Sequence, residues 1–356
     1  MAGRMGGLPL VILVVVACSG SPSVSAPVLT DAPKASPTPS PSPTAVPAET
    51  AQPTPKPTLT LPDFIDLGTT TATRTEARPS PDFIILAGGY AFATGVGSGI
   101  GRFDGTTGAL IDSFMIPGGT CEAMDAGFDA AWTATCGRPG LVRIDAATGT
   151  LTAVEIGGQM PEAEASIGVG EGAVWMVVKG LPRELVRVDP ATNLVTGRFP
   201  IPGAPTAVRA GLGGVWVSDP QEHVIHHVDP VSGAIVASIE VGGQPQFLAV
   251  GEGAVWTMNQ SAGTISRIDP ATDAVVAEIE LGETVRGGDI AVGGGFLWLR
   301  GSRTLLFQID PATNEIVHRY GPSAGSGSVA ADSTAVWITA HDILAIWRLG
   351  LDGIVE

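Results

Sequence analysis

The sequence repeats itself with a period of about 42 residues, and this period restricts the possible folds more than any other feature. Two independent ladders carry it: tryptophans spaced 39 to 43 residues apart, and aspartates spaced 40 to 44 residues apart. Seven such units fill residues 63–356. Internal periods of this length are typical of solenoids and propellers. The ladder positions are Trp132, Trp175, Trp216, Trp256, Trp298 and Trp337, and Asp104, Asp145, Asp189, Asp229, Asp269, Asp310 and Asp352.

Each unit contains four short β-prone runs. In the fifth unit they are residues 247–250, 254–258, 264–268 and 274–281, separated by turns rich in Gly, Asn and Asp-Pro. Four such runs joined by tight turns predict one antiparallel blade. With 48 Gly and 29 Pro, the chain contains too many helix breakers for a helical solenoid or bundle. We therefore predict an all-β fold, a seven-bladed β-propeller of four-stranded antiparallel blades.

The two ends of the repeat region are predicted to close the ring together. The last unit stops four residues after Asp352, whereas its neighbours continue for about a dozen residues to complete an outer strand. The Thr-rich residues 69–76 precede the first unit, which carries Tyr90 or Phe92 in place of tryptophan. We predict that this N-terminal stretch supplies the outer strand of the last blade and leaves no exposed sheet edge.

Short motifs within the units resemble those of a known propeller family. One is Gly214-Val215-Trp216, and another is the pattern [RH]-[IV]-D-P-[AV]-[TS] at residues 187–192, 227–232 and 267–272. These motifs are similar to those of the YVTN-type, or surface-layer-like, β-propellers, and the resemblance covers residues 82–352. It implies the fold and says little about activity.

The first 62 residues are predicted to target and tether the protein. Arg4 precedes an apolar run at residues 8–17, which is too short to span a bilayer and is typical of a signal peptide. The run ends at Cys18 in a sequence that resembles the bacterial lipobox, which implies a lipidated Cys18 as the mature N-terminus. An ordinary secretory signal, cleaved near Ser25 or Ala26, is the alternative.

We therefore predict three regions: a lipoprotein signal peptide at residues 1–18, a disordered Pro/Ser/Thr-rich stalk at residues 19–62, and the propeller at residues 63–356. Both interpretations of the signal place the protein outside the cytoplasm. The lipid on Cys18 would anchor it to the outer face of the bacterial cell membrane, with no other membrane contact.

The net charge of −16 opposes binding to nucleic acid. A closed ring needs no partner for stability, so we expect a monomer.

Cys121 and Cys136 are predicted to form a disulfide. Aligned with the fifth unit, they flank a hairpin turn and should face each other across the first two strands of the second blade. Outside the cytoplasm such a pair should oxidise. A metal or redox site is the alternative, although no further Cys completes a zinc set and the sequence contains no C-x-x-C motif.

The recurring Asp-Pro turns have a structural explanation. They lack the alternating carboxylates and terminal Glu of a calcium loop, whereas an Asp that accepts backbone N–H groups and a following Pro are typical of tight turns. An arginine stands two residues before several of these aspartates, and we expect Arg–Asp pairs within or between blades. These arginines are Arg102, Arg143, Arg187 and Arg267.

Positions where the units disagree are the best candidates for a binding site, because the scaffold explains the shared positions. Two sets of loops vary: those that lead into the innermost strand and those between the second and third strands. In a propeller both sets surround one mouth of the central channel, where their side chains either bind a ligand or only face solvent. The candidates are Glu122, Glu162, Asp219, Gln246, Arg286, Arg300 and His341.

The sequence is consistent with two classes of function. The sequence contains no G-x-S-x-G elbow, P-loop or H-E-x-x-H motif, so we predict no catalytic residue, metal or cofactor. We favour a binding or scaffold module that holds a small polar ligand or a cell-surface protein through its variable loops. The alternative is a secreted propeller enzyme with a funnel active site. Streptogramin lyases, which use a metal with His and Glu, and quinoprotein dehydrogenases look similar in repeat style, but the active residues of neither family map onto this chain.

Overall fold

The computed structural model describes residues 59–162 and 164–352, and the structural statements below refer to these residues. Cys18, the predicted signal peptide and residues 19–58 of the predicted stalk lie outside them. Among the described residues no helix is long and apolar enough to cross a membrane.

Two short strands precede the ring. Strand β1 (Phe64–Asp66) is followed by a 3₁₀ helix (Leu67–Thr69) and by strand β2 (Thr73–Glu76). The carboxylate of Asp66 accepts the Gly68 N–H at 2.8 Å and so caps the start of this helix.

The ring consists of seven blades that follow one another in chain order. Blade 1 contains β3 (Ile84–Ala87), β4 (Tyr90–Val96), β5 (Gly99–Asp104) and β6 (Leu110–Phe114). Blade 2 contains β7 (Thr120–Gly127), β8 (Ala130–Thr135), β9 (Leu141–Asp145) and β10 (Leu151–Val154). Blade 3 contains β11 (Ile167–Gly170), β12 (Ala173–Val178), β13 (Arg183–Asp189) and β14 (Leu194–Ile201). Blade 4 contains β15 (Val208–Gly211), β16 (Gly214–Asp219), β17 (Val224–Val228) and β18 (Ile235–Glu240).

The remaining blades continue this order. Blade 5 contains β19 (Pro245–Gly251), β20 (Ala254–Asn259), β21 (Thr264–Asp269) and β22 (Ala274–Glu280). Blade 6 contains β23 (Asp289–Gly293), β24 (Phe296–Arg300), β25 (Leu306–Asp310) and β26 (Glu315–Gly321). Blade 7 contains β27 (Val329–Ala331), β28 (Ala335–Ala340) and β29 (Ala345–Gly350), and a second 3₁₀ helix (His341–Ile343) joins its last two strands. The predicted seven-bladed propeller is thus confirmed.

The second strand of a blade is buried on both faces because neighbouring blades pack against it. Every residue of β20 is buried, and its sequence Ala-Val-Trp-Thr-Met-Asn is accordingly nearly continuous in apolar side chains. The outermost strand β22 is mostly exposed or half-buried. Trp256 is fully buried in β20. Its indole N–H donates to Gly251 O at 3.0 Å, so the only polar atom of the indole is paired.

An aromatic residue of the second strand faces a basic or polar residue of the third strand in every blade. In blade 5, Trp256 pairs with Arg267, whose guanidinium carbon lies 5.1 Å from the indole centroid. In blade 1 the tryptophan position is taken by Phe92, opposite Arg102. The same register joins Trp132 to Arg143, Trp175 to Arg187, Trp216 to His227, Trp298 to Gln308 and Trp337 to Arg348.

Most of these basic residues bind the next blade, and their partners differ from the predicted ones. Arg102 forms an Arg–Asp pair within its blade, with Asp112 of β6 at 2.7 Å, and Arg143 Nη2 lies 3.9 Å from the turn aspartate Asp145. The prediction is wrong for Arg187 and Arg267, because the turn aspartates already accept backbone N–H groups. Asp104 Oδ1, for example, accepts Thr107 N at 2.7 Å, and this bond lowers the pKa of the Asp104 carboxyl. Three of the arginines also donate to main-chain carbonyls of the next blade: Arg102 to Ala146 and Ala147, Arg187 to Pro230 and Val231, and Arg267 to Pro311.

The N-terminal stretch closes the ring as predicted, with one addition. Strand β2 pairs antiparallel with β29 and completes blade 7. The predicted outer strand at residues 69–76 is shorter in the structure and begins at Thr73, because Thr69 still belongs to the 3₁₀ helix and residues 70–72 connect the helix to the strand. Strand β1 was not predicted; it pairs in parallel with β26 and makes blade 6 five-stranded. Between the two strands, Leu67 is fully buried, so this segment is packed against the ring.

The predicted disulfide is present. Cys121 lies near the start of β7 and Cys136 directly follows β8, and their Cα atoms are 5.0 Å apart. Thr120 and Thr135, one residue before each cysteine, pair across the two strands. The bond therefore joins the two sides of the hairpin in blade 2.

Candidate functional site

The innermost strands of the seven blades enclose a central channel that holds a cavity of about 250 Å³. Its walls are mainly apolar, and its polar side chains are Asp125, Arg209 and Asp289. Asp125 accepts Val169 N of the next inner strand at 2.7 Å. Asp289 accepts the hydroxyl of Ser328 in the blade that follows at 2.6 Å. Each carboxylate therefore joins two neighbouring blades inside the channel.

The channel wall changes the acidity of these carboxyl groups. Burial raises the pKa of Asp289 to about 6, although Arg209 and the hydrogen bonds to Ser328 and to backbone N–H groups oppose the shift. Burial also raises the pKa of Asp125, again against the charge of Arg209. The carboxyl of Asp289 therefore holds its proton to a higher pH than an ordinary aspartate does, because a charge inside the ring is poorly solvated.

Four titratable side chains gather where the channel opens on the face of the variable loops. We call them the mouth cluster: Asp82, Glu122, Glu164 and His341. Asp82 precedes β3, Glu122 lies in β7 and Glu164 precedes β11, while His341 begins the 3₁₀ helix of blade 7. Because blade 7 and blade 1 stand at opposite ends of the repeat region, ring closure brings His341 to the three carboxylates.

The carboxylates of the mouth cluster repel one another. Desolvation, followed by the charge of Asp82, raises the pKa of Glu122. Desolvation, followed by the charges of Glu122, Asp82 and Asp289, raises the pKa of Glu164. Desolvation raises the pKa of Asp82 as well, while His341 and Arg300 act in the opposite direction. A positive charge placed among these groups would relieve the repulsion.

Two of the seven predicted candidates, Glu122 and His341, lie in the mouth cluster. Gln246 is half-buried near the start of β19, on the same face of the ring. Arg286 is exposed on this face and lines a separate groove of about 380 Å³ between blades 5 and 6. The groove is otherwise lined by Gln244, Gln260, Ser261, Thr284 and Val285.

The other three candidates are occupied by contacts within the protein. Arg300 is fully buried and donates to Ala324 O in the loop before β27 and to Thr339 O in β28, each at 3.1 Å; burial lowers its pKa to about 10. Asp219 is also fully buried and accepts Ala204 N at 2.7 Å, which ties two loops together. The carboxylate of Glu162 forms a salt bridge with Arg183 at 3.1 Å. These contacts hold the variable loops in place.

Sequence reasoning missed Asp82, although a signal for it exists. Asp82, Glu122 and Gln246 each stand ten residues before the aromatic residue of the second strand, namely Phe92, Trp132 and Trp256. The comparison of loops that led to Glu122 and Gln246 would have included Asp82 had it been extended to the first unit. Glu164 lies in the same variable loop as the predicted candidate Glu162, although it stands eleven residues before Trp175 and so one position out of step with this series.

The described residues contain no group of three or more His, Cys, Asp or Glu side chains arranged to hold a metal ion. In the mouth cluster, His341 Nδ1 lies 2.6 Å from Asp342 Oδ1 and is thereby engaged with its neighbour. The arrangement is suited to electrostatic binding of a cationic group.

Comparison with known proteins supports the fold. A solved structure described as "Streptogramin B lyase structure" matches with a TM-score of 0.64 and 15% sequence identity, over 78% of this chain and 97% of that chain. The chain is a seven-bladed β-propeller. At this identity the likeness shows the fold alone, since one fold supports many activities. No protein-family model matches the chain, and no curated protein sequence matches it. The resemblance to YVTN-type propellers therefore rests on the sequence motifs.

Proposed function

We propose that this chain is an extracytoplasmic, lipid-anchored propeller that binds a positively charged ligand at the mouth cluster. The observation that carries the proposal is the convergence of Asp82, Glu122 and Glu164, whose carboxyl pKa values are all raised. Among the described residues none of the three forms a salt bridge; the salt bridges nearby use Glu162 and Asp342. Their negative charge is therefore available to a ligand.

The ligand class follows from this charge. An ammonium or guanidinium group would interact with several carboxylates at once, whereas an anion would be repelled. The net charge of −16 adds a long-range attraction for cations. Small polyamines and basic segments of cell-surface proteins both carry such groups, and the open loop face admits either.

The proposed location rests on the N-terminal sequence. The signal peptide, the lipobox-like Cys18 and the long Pro-rich stalk are consistent with a protein held away from a membrane surface. In the native host, Cys18→Ser should move the protein from the membrane fraction to the medium. Retention in the membrane fraction would contradict the proposed anchor.

Thermal unfolding of the purified full-length chain tests the binding site. Spermidine and a Lys-Arg dipeptide are the probes, and a ligand at about 100 times its dissociation constant should stabilise the fold by about 2.7 kcal/mol. Glu122→Gln and Glu164→Gln should each remove most of this shift without loss of folding. Glu252→Gln, an exposed carboxylate in the β19–β20 turn on the opposite face, is the matched control.

Two results would contradict the proposal. One is the absence of any shift with both cationic probes; the other is a shift that Glu122→Gln and Glu252→Gln reduce equally. Because the carboxyl pKa values of the mouth cluster are raised, binding should weaken on acidification at a higher pH than for ordinary carboxylates.

A further inference from the structure

The Cys121–Cys136 disulfide lies at the edge of the mouth cluster. Cys121 immediately precedes Glu122 in the chain, and its carbonyl oxygen accepts the N–H of Glu164 at 3.4 Å. This hydrogen bond crosses from blade 2 to blade 3, since Cys121 belongs to β7 and Glu164 precedes β11. One half of the disulfide therefore contacts two of the three carboxylate residues of the cluster, one through a peptide bond and the other through a hydrogen bond.

Glu122 lies in an irregular part of β7. This strand pairs with β8 at Thr120 and again from Met124 onwards, so residues 121–123 stand opposite the single residue Ala134. Such a bulge interrupts the ladder and changes the direction of a side chain. Glu122 has a φ of 54°, in the left-handed region that is unfavourable for a residue other than glycine. The ladder between the two strands therefore does not by itself fix the backbone at Glu122.

The charges of the mouth cluster act against this arrangement. The charge of Glu122 raises the pKa of the Glu164 carboxyl, because two like charges placed together are unfavourable. A bulge that was free to move would let Glu122 turn away from Glu164, and the negative charge that attracts a cation would then be dispersed. A covalent bond from Cys121 to Cys136 opposes this movement, because it joins the bulge to the end of the neighbouring strand.

The disulfide is accessible, and its loss should leave the ring folded. Cys136 is exposed, and exposed disulfides exchange with thiols more readily than buried ones. Ala123, the residue after Glu122, is fully buried, and the strands on both sides of the bulge are paired independently of the disulfide. Reduction should therefore loosen the bulge at Glu122 and not the blade as a whole.

We propose that the Cys121–Cys136 disulfide positions Glu122 and Glu164 for cation binding, so that reduction of the bond by a dithiol weakens binding at the mouth cluster. A thiolate of the dithiol attacks Cys136 Sγ and forms a mixed disulfide, while Cys121 Sγ leaves with the electron pair and takes up a proton. The second thiol of the dithiol then displaces Cys136 Sγ, so both cysteines become thiols and the dithiol becomes a disulfide. This inference rests on the cation-binding function proposed above.

Calorimetric titration with spermidine tests the effect on binding. The full-length Cys18→Ser chain is used, because Cys121 and Cys136 are then its only cysteines. It is measured in the oxidised form and again after reduction with dithiothreitol. Reduction should raise the dissociation constant about tenfold, as expected if the binding arrangement is then populated about one tenth of the time. A matched control with both Cys121→Ala and Cys136→Ala should bind like the reduced chain and should not respond to dithiothreitol.

The pKa of Glu164 provides a second measurement that needs no ligand. While the disulfide holds Glu122 in place, the charge of Glu122 raises the pKa of Glu164; this pKa should fall on reduction. NMR titration of the carboxyl carbons measures it, and Glu164→Gln assigns the signal. The pKa of Asp82 is raised mainly by burial and should change less. A general loosening of the fold would instead change the pKa values of Glu164 and Asp82 together.

Three results would overturn the inference. They are equal affinity of the oxidised and reduced chains for spermidine, a Glu164 pKa that reduction leaves unchanged, and loss of the native circular dichroism spectrum on reduction. The last result would show that the bond supports the whole fold and not the cluster. If the oxidised chain does not bind spermidine while the pKa of Glu164 still falls on reduction, the positioning role stands and the proposed cation-binding function fails.

Discussion

Arg267 of blade 5 donates to Pro311 O of blade 6 at 2.7 Å while its guanidinium lies over the indole of Trp256. One side chain thus packs within its own blade and fastens the next one. The contact explains why the unit contains an aromatic residue and a basic residue in register, since the pair stabilises the blade and the junction together.

Replacement of the arginine should cost more stability in blade 5, where it binds the next blade, than in blade 2, where it does not. Arg267→Met keeps the apolar stem but leaves Pro311 O and Asn314 Oδ1 without their donor, so we expect a loss of about 2 kcal/mol in the free energy of unfolding. Arg143→Met is the matched variant in blade 2, where the arginine approaches only Asp145 of its own blade, and it should lower the free energy of unfolding by less than about 1 kcal/mol. Urea unfolding measures both, and equal losses would show that the two junctions do not differ.

Ring closure by β2 makes a prediction at single-residue resolution. Ala77 N donates to Leu344 O at 2.9 Å, and hydrogen-bonded pairs alternate along an antiparallel ladder. Thr75 N–H therefore faces Ile346, its partner in register, and Glu76 N–H points away from the sheet. Thr75→Pro should lower the free energy of unfolding by about 2 kcal/mol, whereas Glu76→Pro should cost much less. Unfolding curves that coincide would contradict closure through this strand.

Stability should depend on pH through Asp289. Because its folded-state pKa is raised to about 6 from an ordinary value of 3.8, the folded state binds a proton more tightly than the unfolded state between these values. The stability that the protonated Asp289 contributes is therefore present at low pH, declines as the pH rises towards 6, and is lost above pH 6. From pH 5 to pH 7 this decline amounts to about 1 kcal/mol.

Asp289→Asn should flatten this pH dependence. Asparagine keeps an oxygen that accepts a hydrogen bond but does not titrate, so the drop between pH 5 and pH 7 should shrink by about 1 kcal/mol relative to the unmodified chain. Asp63→Asn, at an exposed position, is the control. Chemical unfolding at the two pH values gives the result, and an unchanged slope in Asp289→Asn would rule out Asp289 as the source.

The disulfide should contribute to stability through the hairpin that it closes. Cys121 and Cys136 are 15 residues apart, and a bond that closes a loop of this size stabilises by about 3 kcal/mol in the chain-entropy model. Replacement of both cysteines by alanine should lower the free energy of unfolding accordingly. Thiol labelling of exported, denatured and unreduced protein should find neither cysteine free, and two labelled thiols would refute the bond.

Predictions from sequence succeeded where a local pattern repeats. The alternation of turns and apolar runs, the tryptophan ladder and the alignment of Cys121 with Cys136 all depend on residues within one unit, so they follow from one period. Prediction was less complete for side chains whose partners lie in another unit. The comparison of units assigned Arg300 to a variable loop, where a ligand-binding residue is expected, yet it is the last residue of β24, is fully buried and binds main-chain carbonyls. Its partners lie up to 39 residues away along the chain.

The sequence by itself determined the number of blades, their four-stranded form and the origin of the closing strand, because strand pairing and turn chemistry repeat with the chain. The tertiary structure alone decided which loop residues meet. Asp82 and His341 are 259 positions apart in the sequence and become neighbours when the ring closes. The addition of β1 to blade 6 and the unpaired atoms of Arg143 and Asn193 likewise depend on how adjacent blades pack. Packing between blades sets distances between side chains that no periodic pattern encodes.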